Sequence, residues 1–129
     1  MRNTLRYSLL SAILAVSAFM LNQPAMAGDD PIHTMANIMM HLEHYPSDSE
    51  KKTLQGISSS NGASPATKTL ASAMTHLEHK VASADKPKLE AIVADANATA
   101  NEKELAKIIL NLRHMPSDAD KEELKKMVK

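Results

Sequence analysis

The sequence predicts an all-α protein of three tandem 35-residue helical hairpins, six short helices in a short stack or a compact bundle. Three observations point there. The block Met39-Met40-His41-Leu42-Glu43-His44 returns as Met74-Thr75-His76-Leu77-Glu78-His79, and in altered form as Ile109-Leu110-Asn111-Leu112-Arg113-His114. Within each copy the apolar residues recur at helical spacing. Each copy also carries a turn signal followed by a helix-start signal at the same place. A fixed period of this length means that one supersecondary unit has been copied, so the fold is read unit by unit.

Aligned at Leu42, Leu77 and Leu112, the copies share that leucine, the histidine at 44, 79 and 114, the lysine at 51, 86 and 121, and the leucine at 54, 89 and 124. The first helix of each unit, the A helix, is set by Met35, Ile38, Met39 and Leu42, spaced i, i+3, i+4, i+7. Leu70, Ala73, Met74, Leu77 and Leu105, Ile108, Ile109, Leu112 repeat the stripe.

The second helix, the B helix, begins after a break. Pro46-Ser47-Asp48-Ser49-Glu50 supplies Ser47 as N-cap with Glu50 three residues on, a capping box. Ser117 and Asp120 do the same in the third copy. In the middle copy Ser83 or Asp85 is the expected cap, with Pro87 in the first turn, where its missing N–H costs little. Leu54 with Ile57, Leu89 with Ile92 and Val93, and Leu124 with Met127 and Val128 form the apolar faces of the B helices.

Residues 58–65 and 95–100 read as connections, the first a Ser/Asn/Gly/Pro linker. One hairpin cannot bury enough apolar surface to stand alone, so the three must pack together. The tetratricopeptide signature residues (its Trp, Gly and Tyr positions) are absent.

Residues 1–27 read as an export signal. Arg2 and Arg6 precede a mostly apolar run from Leu9 to Leu21, and Ala25-Met26-Ala27 fits a small-x-small cleavage site. The run is too short to span a membrane stably, so no membrane insertion is expected after cleavage. The expected mature chain is a single domain over 28–129, with repeats at approximately 28–62, 63–97 and 98–129, soluble in a bacterial periplasm or secreted.

The chain has 15 basic and 15 acidic residues, and loss of Arg2 and Arg6 leaves a slight acidic excess. The signs are interspersed, so no nucleic-acid partner is expected. There is no cysteine, which removes disulfides, a thiol nucleophile and covalent haem. Tyr45 is the one aromatic outside the signal, which disfavours base stacking, aromatic cages and a haem pocket; no haem is expected. No phosphate loop or serine elbow is present, so the chain is read as a non-enzyme.

The chemistry that remains lies in the histidines. His41 with His44, and His76 with His79, are i, i+3 pairs on the continued A helix, and His114 survives in the third copy. Two imidazoles at that spacing can chelate a metal ion, and imidazole suits copper, zinc and nickel. Met40 adds a soft thioether that favours copper. The leading expectation is a small exported binding protein holding a transition metal, copper first, through these pairs. Against it stands a structural reading. A histidine in the last turn of a helix hydrogen-bonds the free carbonyls and sits well at the negative end of the helix dipole. That accounts for the recurring 44, 79 and 114 but not for His41 and His76. The alternative function is then a protein–protein interaction module, or an envelope stress helper, with an unknown protein partner.

Overall fold

The computed structural model describes residues 30–129; the signal-peptide reading of 1–27 lies outside the described residues. Six helices follow in order: α1 Pro31–Met40, α2 Asp48–Ser58, α3 Pro65–Thr75, α4 Lys86–Ala94, α5 Ala100–Asn111 and α6 Asp118–Met127. They pack into a compact all-helical bundle, with no strand among the described residues.

The helix starts follow from local chemistry. Ser47 and Ser117 form the expected capping boxes with Glu50 and Asp120. Asp30, Ser64 and Thr99 cap the three A helices α1, α3 and α5, with Pro31 and Pro65 in the first turns of α1 and α3. Asp85 takes the N-cap position of α4, but its side chain caps nothing; it turns instead to His76 and Lys88.

The bundle is closed. Each B helix packs most closely on the A helix of the following unit, α2 on α3 and α4 on α5. The last B helix, α6, returns to α1. The A helices also touch one another pairwise. Three units in cyclic contact give an approximate threefold arrangement, with the A helices inside.

Of the two arrangements the sequence allows, this is the bundle. An open stack leaves its terminal faces uncovered; here α6 covers α1, and the ring nitrogen Nε2 of His33 in α1 donates to the Val128 carbonyl at 3.1 Å just beyond α6.

The core is symmetric residue by residue. Met35, Leu70 and Leu105 are fully buried, as are Met39, Met74 and Ile109, and Leu54, Leu89 and Leu124. Burying each such side chain contributes roughly 1.5–3 kcal/mol. The alignment also carries an alanine at 36, 71 and 106, every one at 0 % exposure. A side chain this small on each inner helix lets three backbones come close, which a larger residue would prevent.

At the N-terminal end of the A helices a polar cluster joins two units. The Glu102 carboxylate accepts from the hydroxyls of Ser64 and Thr67 and from the Thr99 backbone N–H. Burial alone pushes its carboxyl up, but these donors, Ser64 first, outweigh it and hold the group below the usual carboxylate value.

Candidate functional site

The A helices stop earlier than their apolar stripe. His41 and His76 are C-caps, and His44, His79 and His114 lie in the loops beyond. Leu42, Leu77 and Leu112 are still buried, because the chain folds back onto the core after leaving the helix. The expectation of paired histidines on one helical face therefore fails at its premise, since the helix has ended before the second member of each pair.

The two kinds of histidine divide their roles in the reverse of the sequence reading. His41, absent from the third copy, is the one that serves a helix end: its Nδ1–H donates to the Asn37 carbonyl at 2.9 Å. His76 turns its Nδ1 to the buried Asp85 carboxylate at 3.0 Å, with Lys88 on the other oxygen at 3.3 Å. Because both partners can only accept, each ring carries a proton on Nδ1. Met40 is half-buried and packs against the core, so its thioether serves the interior rather than a surface ligand set.

The recurring histidines meet one another. The ring centroids of His44 and His79 are 5.2 Å apart, those of His79 and His114 5.0 Å, and those of His44 and His114 6.0 Å. Three residues spread over 70 positions of sequence thus form a near-equilateral triangle at the C-terminal end of the A helices.

The backbone builds this triangle. The His79 N–H donates to the His44 carbonyl at 3.0 Å, and the His114 N–H to the His79 carbonyl at 2.6 Å. Each of the latter two residues is also the centre of a γ-turn, closed by Lys80 N–H to Glu78 O at 2.6 Å and by Met115 N–H to Arg113 O at 2.8 Å. Their φ angles are 65° and 70°, left-handed values that are costly for any residue with a Cβ. His44 does not share that conformation. Strained backbone of this kind persists where the surrounding structure enforces it, and it concentrates at functional sites.

The rings are exposed and tilted to one another by 56°, 76° and 50°. In these side-chain conformers no group of three or more His, Asp or Glu among the described residues is set to hold a metal ion. Three imidazoles on one tetrahedral or trigonal ion, at a metal–nitrogen distance of about 2.05 Å, have centroids roughly 5.2–5.5 Å apart. The observed centroid spacings of 5.0–6.0 Å bracket that range, while the ring orientations present do not converge on one point. Convergence of the three rings would require rotation of exposed side chains about χ1 and χ2, a motion exposed residues undergo in picoseconds to nanoseconds.

The triangle is legible in the sequence only as the recurrence of His at the period of the repeat; that the three copies close on themselves is what turns a recurrence into a cluster. No protein-family model, curated protein or solved structure matches this chain.

Proposed function

We propose that the protein is an exported, non-enzymatic helical binding protein that holds one transition-metal ion, copper first, between His44, His79 and His114. The observation that carries this is the spacing of the three rings at 5.0–6.0 Å. Imidazole nitrogen suits copper, zinc and nickel, and divalent copper binds most tightly of the three at a given site. Three protein ligands with an open fourth position are the pattern of a reactive or exchangeable site rather than a closed structural one. His41 and His76 stand outside the set, occupied with Asn37 and Asp85.

The test is calorimetric titration of copper, zinc and nickel into the wild type and into His44→Ala, His79→Ala and His114→Ala. One ion per chain, weakened by each of the three and untouched by His41→Ala or His76→Ala, supports the reading. Binding lost in His41→Ala and retained in His114→Ala refutes the trio.

A second reading rests on a different observation. Among the described residues, Tyr45 at 59 % and Met115 at 48 % exposure are the large apolar side chains left in solvent, and each follows one of the three recurring histidines in the chain. They hold equivalent positions in their repeats and suit the rim of a protein contact at this end of the bundle. Under that reading, Tyr45→Ser with Met115→Ser abolishes partner association and leaves metal content unchanged.

A further inference from the structure

Beside the triangle, between the second and third units, lies an open cleft of about 460 Å³. Its charged lining is all of one sign: Lys80, Lys86 and Arg113, with His79 and His114 at its edge and no carboxylate. The side chains of these three cations are exposed, and among the described residues none of them enters an ion pair or a hydrogen bond. No hydrogen bond from these cations reaches the carbonyls at the end of α5.

The repeat shows that this is local. The positions equivalent to Arg113 are Glu43 and Glu78, and those equivalent to Lys80 are Tyr45 and Met115. Only where the second unit meets the third does the third copy's arginine replace an acid and the second copy's lysine replace an apolar residue. The recurring lysine then completes three cations around one concavity. Like charges gathered without a counter-charge repel one another, and a bound anion relieves that repulsion.

We propose that this cleft binds a small, multiply charged oxyanion, one bearing phosphate or carboxylate groups. Arg113 supplies a planar two-pronged donor, and Lys80 and Lys86 supply mobile point charges. The volume lies within the range of small-molecule sites. The proposal does not depend on the metal reading, because the three cations are present whether or not the histidines hold an ion.

The test is a titration of metal-free protein with inorganic phosphate and, separately, with citrate, at constant ionic strength, followed by amide NMR shifts. Saturable shifts centred on Lys80, Lys86, Leu112 and Arg113 are expected with at least one probe, and which probe binds more tightly tells phosphate from carboxylate. Arg113→Glu, which installs the residue of the other two repeats at an exposed position, should weaken binding about tenfold or more. Lys80→Gln should weaken it as well, while Lys52→Gln on α2 leaves it unchanged. Absence of saturable shifts with both probes, or binding indifferent to both Arg113→Glu and Lys80→Gln, overturns the proposal.

Discussion

His79 lies 35 residues after His44 and donates its backbone N–H to the His44 carbonyl at 3.0 Å. The contact joins two repeats through their most regular residue, and His114 extends it by one more step. The histidine position is thus tied into the structure by its backbone, which leaves the imidazole free for chemistry.

That separation of backbone and side chain can be tested at His79. Its φ of 65° suits glycine, whereas a β-branched residue is strained there. His79→Gly should match or exceed wild-type stability, by up to about 1 kcal/mol, while His79→Val should lose about 1–2 kcal/mol. At His44, which lacks the left-handed angle, glycine should bring no gain. Urea unfolding of the four proteins distinguishes the outcomes; equal effects of glycine at 44 and 79 would contradict the backbone argument.

Closure of the ring makes a prediction about symmetry. In an open array the last unit is the most weakly supported, but Leu124 is as fully buried as Leu54 and Leu89. Leu54→Ala, Leu89→Ala and Leu124→Ala should therefore each cost about 2–5 kcal/mol. A Leu124→Ala cost well below the other two would show that α6 does not close on α1.

The inner alanines set how closely α1, α3 and α5 approach. Ala71→Leu or Ala106→Leu inserts bulk where exposure is 0 % and should cost about 1–3 kcal/mol or more by overpacking. Thermal melts read this directly, with the exposed Ala91→Leu on α4 as the near-neutral comparison.

Glu102 gives the fold a pH dependence. Its carboxyl is held below the usual carboxylate value: burial raises it, but hydrogen bonds from Ser64, Thr99 and Thr67 outweigh that desolvation. A depressed carboxylate contributes stability that is present above its unfolded pKa and is lost as pH falls through the lower folded one. Stability should therefore drop as pH falls below about 4.5. Glu102→Gln should be destabilised at neutral pH by about 1–3 kcal/mol and should show a shallower decline in acid. An unchanged acid slope in the variant would remove Glu102 as the cause.

Much of the fold is legible in the sequence and the assembly is not, for physical reasons. The A stripe of Met35, Ile38 and Met39 and the capping boxes at Ser47 and Ser117 are local signals, and local signals suffice to place helices. They do not say that α2 packs on α3 rather than on α1, because that choice rests on contacts far apart in the chain. Leu42 keeps the helical period and is buried, yet lies beyond the helix; periodicity registers burial and cannot see where the backbone leaves the helix. The identical alanines at 36, 71 and 106 carry little hydrophobic weight, so a reading by bulk passes over them although they mark the inner helix faces.

At the candidate site the residue types were legible and their partners were not. His44, His79 and His114 stand out by recurrence. Their grouping needs ring closure and two left-handed turns, and neither has a Gly or Asn signal at those positions. The pairing of His76 with Asp85 joins a helix end to the start of the next helix and has no counterpart in the other repeats, where Asn111 replaces the histidine and Glu50 serves its own capping box.

The central claim is that the three recurring histidines hold one metal ion together. The most direct measurement is metal content by elemental mass spectrometry of untagged protein purified without chelator, alongside the triple variant His44→Ala/His79→Ala/His114→Ala. The account predicts close to one copper, zinc or nickel per wild-type chain and essentially none in the variant. Equal metal content in the two proteins, or a metal-free wild type whose melting temperature no added copper, zinc or nickel raises, would contradict it.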